Sequence, residues 1–243
     1  MGKPTLVLLH GVGLDRTMWE PVTALLADRF TVLAPDLPGH GTRPPVADGV
    51  SLAELADAVA DGIPAGSHVA GFSLGALVAQ HLALHRPELT ATLTSISSVC
   101  RRTPEERTAV QARLRTAEAD FAASTAASLE RWYAGTTVPP EVVRRTEAVL
   151  RANDVGSFLA CYRVFAAGDA ELAPHLAAIT VPSLAVTGEN DPGSTPDMTH
   201  RLAEALPSCR AVIVPGARHM LPVERPKELA EALTTFIGES TYA

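Results

Sequence analysis

The pentapeptide Gly71-Phe72-Ser73-Leu74-Gly75 constrains the fold of this chain more than any other stretch. An apolar run, Ser67 to Phe72, stops at it, and a helix-forming run, Leu74 to His85, begins directly after Ser73. Gly-x-Ser-x-Gly at such a junction describes a sharp strand-to-helix turn with the serine at its apex. The apex needs tight backbone dihedrals, and the glycines let strand and helix approach without Cβ clashes. The Ser73 hydroxyl then points out of the top of a sheet, beside the first free N–H groups of the new helix. Taken alone, the five residues also fit a glycine-rich turn with a buried or capping serine.

The surrounding rhythm sets the fold class. Apolar strands are expected at Thr5 to Leu9, Phe30 to Ala34, Ser67 to Phe72 and Leu89 to Ile96. The first two read as buried on both faces. Helices are expected between them at Arg16 to Asp28, Ser51 to Asp61 and Leu74 to His85, the last ended near Arg86-Pro87. Ser51 with Glu54 three residues on forms a capping box. This alternation predicts an α/β fold: a mostly parallel sheet with helices on both faces and right-handed crossovers. It breaks between Arg101 and Leu176, where helices are expected from Thr103-Pro104, at Phe121 to Trp132, Pro140 to Ala152 and Val155 to Phe165. It resumes with strands at Val181 to Thr187 and Arg210 to Val214 and helices at Thr195 to Leu206 and Pro226 to Ile237. The expected organisation is therefore a core over 1–98, a helical cap over 99–176 and the rest of the core over 177–243. The cap carries Phe121, Trp132, Tyr133, Phe158, Tyr162 and Phe165, to be divided between docking and lining a cavity.

Two more loops bear on Ser73. Asp191 stands just past the strand ending at Thr187, and His219 just past the strand ending at Val214. Ligands of open α/β sheets gather at this carboxyl edge. A serine hydroxyl needs an adjacent base to become a nucleophile. An imidazole accepts that proton near neutral pH, and a carboxylate on its far nitrogen fixes the tautomer. Ser73, Asp191 and His219 are the expected catalytic residues. The backbone N–H groups of Val12 and Leu74 are expected to hold the developing oxyanion. His10 and His40 are expected to shape that loop. Asp36 could brace it from a neighbouring turn.

Composition removes other classes. The formal charge is −7 with no basic run, which argues against nucleic acid as a partner. Cys100, Cys161 and Cys209 lack metal-ligand spacing, and no His-Glu-x-x-His is present, so no metal is expected. No Gly-x-Gly-x-x-Gly follows the first strand, so no dinucleotide or other cofactor is expected. No signal-peptide pattern and no membrane-length apolar run are visible. The expected location is the cytoplasm, away from the membrane, as a monomer or homodimer.

On His10-Gly11, Asp36-Leu37-Pro38-Gly39-His40-Gly41, the Ser73 elbow, Gly188-Glu189-Asn190-Asp191 and His219 near Pro222, the chain resembles the α/β-hydrolase superfamily. Within it the chain is most similar to 3-oxoadipate enol-lactonases and cofactor-free haloperoxidase/esterase types, on Glu130-Arg131-Trp132-Tyr133 and on Phe158 to Tyr162 with Gly168-Asp169. It departs from them at Ala76, where many relatives have a second glycine, and at Thr42-Arg43 after the Gly-His-Gly loop. The resemblance implies hydrolysis of a small-molecule ester or lactone, carboxylated ones included, with an enol-lactone from aromatic-acid catabolism favoured. Arg131 would pair with a substrate carboxylate beside Trp132, or be a surface arginine beside a core tryptophan. Trp19 and Phe72 would form the acyl pocket or pack beneath the loops. A carbon–carbon hydrolase of ring-cleavage products, a perhydrolase or general carboxylesterase, and a non-catalytic ligand receptor are the alternatives.

Overall fold

The computed structural model describes residues 2–241; positions 1 and 242–243, the extreme ends of the expected core segments, lie outside the described residues. The elements run β1 (Thr5–Leu9), α1 (Glu20–Leu26), β2 (Thr31–Leu33), α2 (Leu52–Ala60), β3 (Ser67–Phe72), α3 (Leu74–His85) and β4 (Thr90–Ile96). Four helices follow: α4 (Pro104–Ala119), α5 (Phe121–Tyr133), α6 (Pro140–Arg151) and α7 (Val155–Leu172). The chain then returns through β5 (Ser183–Gly188), α8 (Pro196–Ala205), β6 (Cys209–Val214), α9 (Leu221–Glu224) and α10 (Pro226–Thr241). The strands form one parallel sheet in the order β2-β1-β3-β4-β5-β6.

Both faces of the sheet are covered, which is why its central strands are continuous apolar runs. Val7 and Leu9 of β1 join a core with α2, α3 and α8, while Leu6 and Leu8 join a second core with α1 and α10. The expectation of a fully buried strand at Phe30 to Ala34 is corrected. β2 is an edge strand with Thr31 exposed and Val32 and Leu33 half-buried, because only β1 pairs with it. The expected helix from Arg16 to Asp28 divides into a 3-10 turn at Arg16–Trp19 and then α1. Pro21 explains the break, since it lacks the N–H a helix interior requires and is tolerated only in a first turn.

The expected capping box at Ser51–Glu54 forms, and a second stands at Thr103–Glu106 at the start of α4. α4 is fastened to α7 by a buried ion pair. Arg102 donates to Asp169 at 2.6 Å, and both side chains are almost wholly shielded from solvent. The Arg102 N–H donates to the other Asp169 oxygen at 2.9 Å. Removing one partner would strand the other charge in the interior, at a cost of about 3–5 kcal/mol.

The tightest backbone approach lies where β3 turns into α3. A Cβ on Gly75 would collide with the carbonyls of Leu9 and His10, and one on Gly71 with the carbonyl of Gly75. Gly238, inside α10, has open space around it. Gly75→Ala should therefore destabilise by more than ~3 kcal/mol, since backbone cannot yield as a side chain can. Gly238→Ala should be neutral or stabilising by up to ~1 kcal/mol through helix propensity. Urea unfolding of both variants checks this, and equal effects would contradict it.

Two buried histidines hold the loops above β1 and β2. His10 Nε2 accepts the Leu37 N–H at 2.9 Å, which leaves the proton on Nδ1, 2.9 Å from the Gly11 carbonyl. The His40 ring stands edge-on to it, with centroids 5.1 Å apart. Burial is the main cause that pushes His10 down to about 4 and His40 down to about 3. Burial pushes His68 and His81 down as well. Because these folded pKa values lie below the unfolded value of 6.5, the unfolded chain takes up protons first as pH falls. The stabilisation is complete above pH 6.5 and is lost progressively toward pH 4 for His10 and pH 3 for His40. His10 alone should account for about 3 kcal/mol of that loss. Urea midpoints measured from pH 7.5 to 4.5 should be flat at first and then fall; a flat curve down to pH 5 would contradict the assignment.

Candidate active site

Ser73 occupies the turn between β3 and α3 with φ 54° and ψ −111°, a left-handed backbone that a non-glycine residue adopts only when its surroundings force it. Its N–H donates to the Ile96 carbonyl at 2.9 Å and its carbonyl accepts the Ala76 N–H at 3.1 Å. Leu74 then opens α3, so its N–H is among those with no acceptor inside the helix.

Asp191 and His219 meet above the ends of β5 and β6. His219 Nδ1 donates to Asp191 Oδ2 at 2.7 Å. The Gly193 and Ser194 N–H groups both donate to Asp191 Oδ1 at 2.9 Å. Burial pushes the Asp191 carboxyl up, but the His219 charge and hydrogen bond, with those two N–H groups, outweigh it and hold it below the usual carboxylate range. The pairing turns Nε2 of His219 away from Asp191. The two loops are joined directly: the Asn190 N–H donates to the Ala217 carbonyl at 2.8 Å, and the Gly216 N–H to Glu189 Oε2 at 2.8 Å. Ser97, also at positive φ beyond β4, donates from Oγ to the His219 carbonyl at 3.1 Å.

Ser73, Asp191 and His219 line one cavity, with about 610 Å³ of atom-free space including its mouth. Of the eight histidines, all within the described residues, His219 alone lines it. Val12 lines it as well, and the four inserted helices supply much of the wall, including Phe158, Tyr162 and Phe165. Phe121 packs edge-on against Phe158, and the Tyr133 hydroxyl meets that of Thr146. These two aromatics of the insert therefore dock rather than line.

Arg131 and Trp132 also line the cavity. The Trp132 indole lies nearly parallel to the His219 imidazole, centroids 5.7 Å apart at 26°. Arg218, the neighbour of His219, reaches the end of α5 and donates to the carbonyls of Ala134 at 2.7 Å and Arg131 at 3.0 Å. The histidine loop and the helix bearing Arg131 and Trp132 are thus held by one side chain.

Two expectations are corrected. Trp19 does not border the cavity. It is wholly buried in the core with Leu8, Val22 and Met220, because the 3-10 turn before α1 aims it at the sheet. Phe72 does not line the cavity either. As the last residue of β3 it is buried, and its ring lies 5.0 Å from that of His219, as a support beneath it. Asp36 braces the first loop from its neighbouring turn. It accepts the Arg16 N–H at 2.9 Å and both the N–H and hydroxyl of Thr42 at 3.0 Å. Asp169, part of the quoted resemblance, anchors α7 to Arg102 and does not line the cavity. Sequence reasoning missed Arg113, Ser124, Thr125 and Ser128, which line the cavity too. The spacing 124, 128, 131 is one helical face and was the available signal. Arg218 also went unread, although it adjoins His219.

Among the described residues, no group of histidine, cysteine, aspartate or glutamate is arranged to hold a metal ion, and no helix is long and apolar enough to cross a membrane. A family model described as the alpha/beta hydrolase family matches residues 6–232. The chain is 28% identical to an (E)-2-((N-methylformamido)methylene)succinate hydrolase of Acinetobacter baylyi, over 97% of this chain and 90% of that one. It is 31% identical to a pimeloyl-[acyl-carrier protein] methyl ester esterase of Aeromonas hydrophila, over 97% and 96% of the two chains. The crystal structure of an enol-lactonase from Burkholderia xenovorans superposes with a TM-score of 0.88 at 26% identity, covering 98% of this chain and 92% of that one. With that match over nearly its whole length and a six-stranded parallel sheet between two helical layers, the chain belongs to the alpha/beta hydrolase family.

Proposed function

We propose that this hydrolase cleaves a small carboxylic ester or lactone through Ser73, His219 and Asp191. The observation that carries the reading is the 2.7 Å hydrogen bond from His219 to Asp191 on the wall of the cavity that Ser73 also lines. Ser73 Oγ attacks the carbonyl carbon while His219 Nε2 takes its proton, and Asp191 stabilises the imidazolium. The Val12 and Leu74 N–H groups receive the oxyanion. His219 returns the proton to the leaving oxygen, which in a lactone stays tethered to the acyl chain as the ring opens. Water, deprotonated by His219, then attacks the acyl-enzyme and releases the acid. The inserted helices act as a cap that limits bulk water and admits small or medium substrates.

An enol-lactone from aromatic-acid catabolism is the favoured substrate, supported by the likeness to the Burkholderia enol-lactonase and by Arg131 at the cavity wall. A plain carboxylic ester is the second reading, supported by the methyl ester esterase relatives. The free state of all three cysteines is in keeping with a reducing cytoplasm.

Ser73→Ala should lower kcat at least about 10⁴-fold without changing the urea midpoint by much. Turnover of aryl esters and enol-lactones near the parent rate in that variant would end the proposal. Labelling by a fluorophosphonate, present in the parent and absent in the variant, separates an enzyme from a ligand receptor. Arg131→Ala should raise KM for carboxylated lactones about 10- to 100-fold, the worth of a charge-assisted hydrogen bond, and far more than for neutral esters. Equal changes in both would remove Arg131 from substrate recognition.

A further inference from the structure

The cavity holds a second arginine that the reaction just described does not use. Arg113 comes from α4 and Arg131 from the neighbouring α5, and both line the space above Ser73 and His219. Arg131 donates to the Ala127 carbonyl and to Ser128 Oγ, both on its own helix, and meets no carboxylate. Among the described residues Arg113 makes no ion pair and no hydrogen bond. Among the described residues Asp191 is the sole carboxylate on the cavity wall; its side chain is wholly shielded and already taken by His219, Gly193 and Ser194. Two guanidinium groups thus share a half-buried space with no counter-charge of their own, in a chain whose formal charge is −7.

That arrangement has a cost. Burial first, and the like charge of Arg113 second, push the Arg131 guanidinium below its usual range. An arginine cannot shed its proton to relieve this, so relief must come from an anion. The rest of that wall suits one. Ser128 Oγ accepts from Arg131, Ser124 and Thr125 line the same cavity, and Phe158, Tyr162 and Phe165 form the apolar remainder. One carboxylate neutralises one guanidinium, and planar pairing of each arginine with its own carboxylate calls for two.

We propose that Arg113 and Arg131 form a two-arginine seat that selects acyl groups carrying two free carboxylates besides the carbonyl under attack. The inference rests on the ester-hydrolase reading for the reacting carbonyl alone; the seat itself binds dicarboxylates whether or not they react. Ser73 works at one end of the substrate and the cap arginines hold the other. A monocarboxylate satisfies one arginine and leaves the other uncompensated.

Three 4-nitrophenyl esters test this: the neutral butyrate, the hemi-glutarate with one carboxylate, and the mono-ester of propane-1,2,3-tricarboxylic acid with two. For the parent enzyme kcat/KM should rise along that series, with the dianion about tenfold or more above the monoanion, the worth of one added charge-assisted pair. Arg113→Gln should bring the dianion-to-monoanion ratio close to one, Arg113→Lys should restore part of it, and Arg113→Glu should invert it. Free glutarate, with two carboxylates, should bind Ser73→Ala protein at least about tenfold more tightly than butyrate, with one, in calorimetry, and Arg113→Gln should remove the difference. A ratio unchanged by Arg113→Gln, or a parent enzyme that hydrolyses the monoanion best, overturns the seat. Failure to hydrolyse any of the three, with tight glutarate binding retained, overturns the ester reading and leaves the seat standing.

Discussion

The close passage of the Gly71–Gly75 turn against the top of β1 is the constraint on which the site depends. With no Cβ at Gly75, the first turn of α3 settles onto the carbonyls of Leu9 and His10. That contact forces Ser73 into its left-handed backbone and brings the first loop, with Val12, to the side of α3. The strain at Ser73 is spread over backbone hydrogen bonds to Ile96 and Ala76. A residue so placed is presented by the paired strands of the sheet as a whole.

The opposite half of the site is built from loops and depends on mutual ties. The Asp191 and His219 turns are bonded to each other, and Ser97 secures the histidine backbone from β4. Arg218 and the Trp132 stack then join this pair to the cap. The His219 loop and the end of α5 are therefore tied directly to each other. A change at the end of α5 bears on the histidine as well as on the cavity wall.

Charge is distributed with the same economy. The buried carboxylates Asp36, Asp169 and Asp191 each have several donors. The histidines of the first loops are held neutral by burial and serve as hydrogen-bonding struts. The cavity arginines are the exception: among the described residues neither Arg113 nor Arg131 pairs with a carboxylate.

What the sequence by itself determined is what nearest neighbours along the chain enforce. The Ser73 turn, the capping boxes at Ser51 and Thr103, and the positions of Asp191 and His219 just past apolar strands all follow from local backbone chemistry. The expectations that misplaced Trp19, Phe72 and the buried β2 each required knowing what lies across a gap in space. A tryptophan ahead of a helix faces core or cavity according to how the turn before α1 is wound. A strand is central or marginal according to which other strand lies beside it. Arg113, on a highly charged helix, reads as solvated until α4 and α5 are seen to close over Ser73. Helix facing and strand order are decided by packing between residues far apart in the chain, and only the tertiary structure supplied that part.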